Sequence, residues 1–154
     1  MDDPADDPHA RIAAFLAGIG ITLRAGLVGE GSFLPGVTTE GGAIVYDPSR
    51  PYHPGDLLHE AGHVAVTEPE RRGALGGTME DGGGEEMAAI AWSYAAARHI
   101  GLDPSIVFHE AGYKGGGAAL VEAFEAGTGC GVPLLAWYGL TDAASFPRME
   151  RWLR

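Results

Sequence analysis

One cysteine, one lysine and no long apolar run are what this 154-residue chain withholds. With Cys130 alone, no internal disulfide framework can form, and a reducing compartment, the cytoplasm, is expected. With Lys114 as the single lysine and a net charge of −11, no basic patch for nucleic acid or anionic membrane is expected. No stretch reaches the ~20 apolar residues of a membrane-spanning helix. The acidic, proline-bearing start over residues 1–8 lacks the basic and apolar segments of a signal peptide. It is expected to be a disordered lead-in to one domain over 9–154.

What is present is concentrated in His59-Glu60-Ala61-Gly62-His63. Two histidines four apart on a helix point within about 40° of each other and can grip one metal ion. The glutamate between them can hold and deprotonate a water there. Leu58, Ala61 and Ala65 fall on the opposite side and suit a core. Gly62 flanks the histidines, where a side chain would block another backbone. Asp56 reads as an N-cap and Pro69 as the far limit, for a helix over about 57–67. The competing reading is an amphipathic helix with two surface histidines.

Zinc held for catalysis takes three protein ligands and keeps one position for water. The third ligand is sought in Glu85-Glu86, which opens a strongly helical run to about residue 100. Glu86 is preferred over Glu85. With Glu86 toward the metal, Ala89, Ile90, Ser93 and Ala97 share its face, mostly small residues that permit close helix packing. Both glutamates also suit a helix N-terminus, where negative charge is favourable.

His59-Glu60-x-x-His63 followed by Glu86-x-x-Ala89-x-x-Trp92 resembles the gluzincin metallopeptidases, nearest the small ImmA/IrrE-type domains. The resemblance covers about residues 20–100. It implies zinc ligation by His59, His63 and Glu86, with Glu60 as catalytic base. One departure is Ile90, where such domains often carry Asn or Asp. A partner orienting a histidine ligand must therefore come from elsewhere.

Downstream, His109, Tyr113 and Lys114 are the candidate donors to charge developing on a substrate carbonyl. Gly115-Gly116-Gly117 could hold an anion at a helix start; an ordinary surface loop is the plainer reading. His109-Glu110-Ala111-Gly112-Tyr113 echoes the motif with tyrosine in place of the second histidine, and is read as coincidence. His53 reads as a loop histidine, and His99 as a last-turn cation. Trp92, Tyr94, Trp137 and Tyr138 are expected in the core.

Apolar spacing predicts a first helix over 9–19, a strand at 21–24, and a hairpin of 32–38 and 43–47 around Thr39–Gly42. A short turn from Asp103 to Phe108 follows the glutamate helix. Helices are then expected at 118–126, 133–138 and 142–153. The predicted fold is α+β: a small sheet beside the motif helix and the glutamate helix, with a helical C-terminal part. Ala43–Asp47, the last strand before the motif helix, is the candidate to pair with extended substrate. The expected function is zinc-dependent hydrolysis of a peptide or protein. The alternative is a zinc-bearing regulatory or interaction module without turnover.

Overall fold

In the computed structural model, residues 6–30, 32, 34–75, 83–113 and 116–154 are described. The first helix, α1 (Pro8–Ile19), starts on Pro8 and is capped by Asp7, whose carboxylate accepts from the Ala10 amide. Ile12 and Leu16 point into the core. Three short strands follow: β1 (Leu23–Ala25), β2 (Val37–Glu40) and β3 (Ala43–Tyr46). They form a mixed sheet in the order β1-β3-β2. β1 runs parallel to β3, with Leu23 opposite Ile44, and β2 runs antiparallel to it, with Thr39 opposite Ile44.

The hairpin turns on Gly41 and Gly42, whose φ of 60° and 84° suit the tight two-residue connection that matches strand twist. β2 begins only after Pro35-Gly36, which is why it is shorter than the expected 32–38. β3 lies between β1 and β2, so both its edges are paired. The expectation that Ala43–Asp47 pairs with substrate is therefore wrong: the outer strand next to the motif helix is β2.

That helix, α2 (Pro54–Val66), begins at Pro54 rather than near residue 57. His53 occupies the capping position, and Asp56 lies inside the first turn. Leu58, Ala61 and Ala65 are fully buried, as their shared face predicts, and so is Leu57. The last four carbonyls of a helix have no partner within it. Here each finds one: Thr67 Oγ1 donates to His63 O, Arg72 Nε to Val64 O, the Arg154 amide to Ala65 O and Arg154 Nη1 to Val66 O. Both flanking segments thus fix the end of the motif helix.

After α2 come a short α3 (Pro69–Arg72) and the long α4 (Gly83–Ile100). α2 and α4 cross where Gly62 meets Ala89. A Cβ on Gly62 would stand 2.8 Å from Ala89 O and 3.3 Å from Ala89 Cβ. Gly62→Ala should therefore lower stability in chemical denaturation. Overpacking costs typically about 1–3 kcal/mol, more than the ~1 kcal/mol gained in helix propensity. A stabilised Gly62→Ala would contradict so close a crossing.

Beyond α4, Asp103 caps a 3-10 turn (Pro104–Ile106). Then follow α5 (Glu110–Tyr113), α6 (Gly117–Glu125) and α7 (Val132–Trp137). The core runs between the sheet, α1, α2 and α4, with Trp92 buried and its indole donating to Trp152 O. Tyr94 is also buried, stacked on Phe124. Trp137 is 82% exposed, against the expectation that it is core. His99 sits in the last turn of α4, packed edge-on against Trp152.

The segment 142–153 is not helical. It runs through turns pinned by Thr141, whose hydroxyl donates to Arg148 O and whose backbone bridges to Met149. Pro147 has no amide to give a helix and disfavours helical backbone at Phe146. Among the described residues no helix is long and apolar enough to cross a membrane.

Candidate metal centre

The motif histidines are buried, His59 at 6% and His63 at 8% exposure, which excludes the reading of two surface histidines. Their side chains converge rather than diverge. His59 Nε2 and His63 Nε2 lie 3.2 Å apart. From α4, Glu86 brings Oε2 to 2.9 Å from His63 Nε2 and Oε1 to 3.5 Å from His59 Nε2. Among the described residues this trio is the one group of such side chains that could hold a metal ion, each offering one atom.

The donor set and spacing suit zinc. A tetrahedral ion with bonds of about 2.0–2.1 Å sets its ligand atoms about 3.3 Å apart. The two imidazole nitrogens are 3.2 Å apart, and each has a different Glu86 oxygen near it, Oε2 at 2.9 Å from His63 and Oε1 at 3.5 Å from His59, distances of that order. Two imidazoles and one carboxylate are also a borderline-soft nitrogen and oxygen set. The close Gly62–Ala89 crossing brings α4 near enough for Glu86 to reach over.

Glu85 goes elsewhere. Its Oε1 is 3.0 Å from Arg71 Nη1, in an ion pair with α3. The choice between the two glutamates thus falls to Glu86. Accordingly, Glu86→Gln should weaken zinc binding by more than about 10-fold, while Glu85→Gln should leave it within about twofold. Equal losses in competitive chelator titrations would contradict this assignment.

Glu60, between the histidines, points toward the sheet. Its Oε2 accepts a 2.7 Å hydrogen bond from Thr39 Oγ1 on β2. This contact is absent from any sequence reading of the motif. The sequence places Thr39 in the hairpin turn over 39–42; β2 instead runs on to Glu40, and its alternation puts Thr39 on the same inward face as Val37.

Tyr113 reaches the site, but from behind. Its hydroxyl lies 3.2 Å from His59 Nδ1, on the ring nitrogen remote from Glu86. For Nε2 to offer a lone pair, Nδ1 must carry the proton and the tyrosine oxygen accept it. Burial, reinforced by the charges of Glu86, Asp56 and Cys130, raises the Tyr113 pKa well above its usual value. The hydroxyl therefore stays neutral. Tyr113 thus meets His59, one of the three residues that could hold a metal ion, where an orienting partner would.

His109 lies at the start of α2. Its Nε2 is 2.7 Å from Asp56 Oδ1, and its ring stacks on His53 at 3.9 Å. Burial pushes the Asp56 pKa up, against the hydrogen bond and charge of His109 and the charge of His53. Asp56 is therefore no N-cap: its buried carboxylate ties α2 to the segment before α5. Gly55 permits this approach, since a Cβ there would fall 2.0 Å from Ile106 O. Lys114 and Gly115 lie outside the described residues. Cys130 is a half-buried free thiol on the loop before α7.

No family model, no curated protein and no solved structure matches this chain.

Proposed function

We propose that the protein is a zinc-dependent metallopeptidase. The observation that carries this reading is the convergence of His59 Nε2, His63 Nε2 and the Glu86 carboxylate within 4.8 Å of one another, with Glu60 on the same helix as the two histidines. Zinc would be held by His59, His63 and Glu86. So held, zinc acidifies water and polarises a carbonyl as a Lewis acid. The order His, Glu, His and then Glu on a second helix is also that of the gluzincin and ImmA/IrrE-type domains the sequence resembles.

This chain's own residues supply the rest. Glu60 accepts the proton of the attacking water and returns it to the leaving amine. Tyr113 holds the His59 ring in the tautomer and orientation that ligation needs. On the outer edge of β2, where Val37 N donates to Leu34 O and Gly41 N to Leu75 O, the Thr39 peptide groups between them would be offered to an extended chain, the strand-addition mode of peptide binding. The charge of −11 argues for a peptide or protein substrate over a nucleic acid or an anionic membrane. The lone cysteine is in keeping with a cytoplasmic setting.

The test is a peptide library incubated with zinc-loaded protein and analysed by mass spectrometry. Cleavage that a chelator stops and added zinc restores is expected. Intact peptides throughout, with zinc bound, would overturn the peptidase reading in favour of a zinc-bearing interaction module.

A further inference from the structure

Glu60 is gripped from outside its own helix, by a residue no feature of the motif points to. Thr39 is the third residue of β2 and only 9% exposed, with its side chain turned inward beside that of Val37. The Thr39 hydroxyl donates in its 2.7 Å bond to Glu60 Oε2. A glutamate on a helix has three rotatable bonds, and a base must sit within hydrogen-bond reach of the proton it takes. A fixed donor on one carboxylate oxygen removes much of that freedom.

The backbone of the same residue faces the other way. The Asp47 amide donates to Gly36 O, so the bonded pairs of the hairpin are Gly36–Asp47, Thr38–Val45 and Glu40–Ala43. The amide and carbonyl of Thr39 consequently point to the outer edge of β2. Among the described residues no backbone group pairs with them there. One residue thus has its hydroxyl on the proposed base and its peptide group on the edge where an extended chain would lie.

We infer that Thr39 is a positioning residue, which sets the Glu60 carboxylate for proton transfer. The inference rests on the metallopeptidase reading. It differs from a purely structural tie between sheet and helix, because such a tie would alter stability without altering Glu60 chemistry.

The experiment compares zinc-loaded wild type, Thr39→Val, Thr39→Ser and Glu60→Gln in two assays. The first is calorimetric binding of acetohydroxamate, which engages zinc as its anion and hands its proton to a neighbouring base. The second is kcat and KM on a cleaved peptide. Thr39→Val should keep one zinc per chain and bind acetohydroxamate about 10-fold more weakly, and its kcat should fall about 10- to 100-fold with KM nearly unchanged. Thr39→Ser, which restores the hydroxyl, should recover most of both.

Because acetohydroxamate binding needs no turnover, the two readings fail separately. Weakened binding in Glu60→Gln but wild-type binding in Thr39→Val overturns the Thr39 inference alone, as does a Thr39→Ser variant no better than Thr39→Val. Wild-type binding in Glu60→Gln overturns the base assignment and the Thr39 inference with it. Wild-type protein that binds acetohydroxamate in a Thr39-dependent way but cleaves no peptide removes the peptidase reading and leaves Thr39 as the residue that sets Glu60.

Discussion

His63→Ala is expected to leave the chain unable to hold zinc, whereas wild-type protein purified without chelator is expected to carry one zinc per chain. The size of the effect follows from the geometry. The site draws on three side chains, and His63 Nε2 stands close to both of the others, at 3.2 Å from His59 Nε2 and 2.9 Å from Glu86 Oε2. Without it, one imidazole and one carboxylate remain at a buried position. Removing a group that merely orients a ligand costs about 10- to 100-fold in affinity, so deleting the ligand itself should cost more than about 100-fold. Stability gives a second readout. Zinc at about 100 times its Kd stabilises a folded chain by ~2.7 kcal/mol, which appears as a zinc-dependent rise in Tm. Wild type should show that rise and His63→Ala should not. Near-stoichiometric zinc in His63→Ala, with the same rise, would mean that the ion sits elsewhere.

Glu60→Gln is the complementary case: zinc kept, turnover lost. Glutamine fills the same volume and can still accept the hydrogen bond of Thr39 through its amide oxygen. The side chain therefore stays where Thr39 holds it, and the ligands His59, His63 and Glu86 are untouched. What disappears is the capacity to take a proton. General base catalysis contributes about 10²- to 10⁴-fold, and the fall in kcat should lie in that range with little change in KM. Metal analysis and steady-state kinetics on the same preparation check both halves. Undiminished hydrolysis by zinc-loaded Glu60→Gln would remove Glu60 from the chemistry.

The parts of this site that a sequence can reveal are those set by local periodicity. Four-residue spacing on a helix is enough to bring His59 and His63 together, and a small residue beside them is enough to foresee the close crossing at Gly62. The glutamate helix, its limits and its place after the motif are equally local. Glu85 and Glu86 are different. They adjoin at a helix start, and the choice between them depends on how α4 is rotated against α2 and on Arg71 drawing Glu85 away. Contacts between distant segments leave no periodic trace. Thr39 and Glu60 are 21 residues apart, Asp56 and His109 are 53 apart, and Tyr113 and His59 are 54 apart. Each was settled by packing. Tyr113 could be suspected from its position after the glutamate helix, but which nitrogen of His59 it meets could not.

The fold divides in the same way. A helix at 8–19, a hairpin around Gly41-Gly42 and helices near 117–125 and 132–137 follow from apolar spacing and glycine punctuation. Position within the sheet does not: β3 became the central strand because β1 pairs with it in parallel from far upstream. At 142–153, where apolar spacing predicts a helix, Pro147 breaks it: it has no amide to give and disfavours helical backbone at Phe146. The brief α3 and α5 are too short for periodicity to register.

The most direct measurement is a crystal structure of the protein loaded with zinc. One zinc ion bound by His59 Nε2, His63 Nε2 and the Glu86 carboxylate is expected, with its remaining position open to solvent on the side of Glu60. A fourth protein side chain closing that position would mark a structural site, and zinc bound away from these three residues would contradict the account altogether.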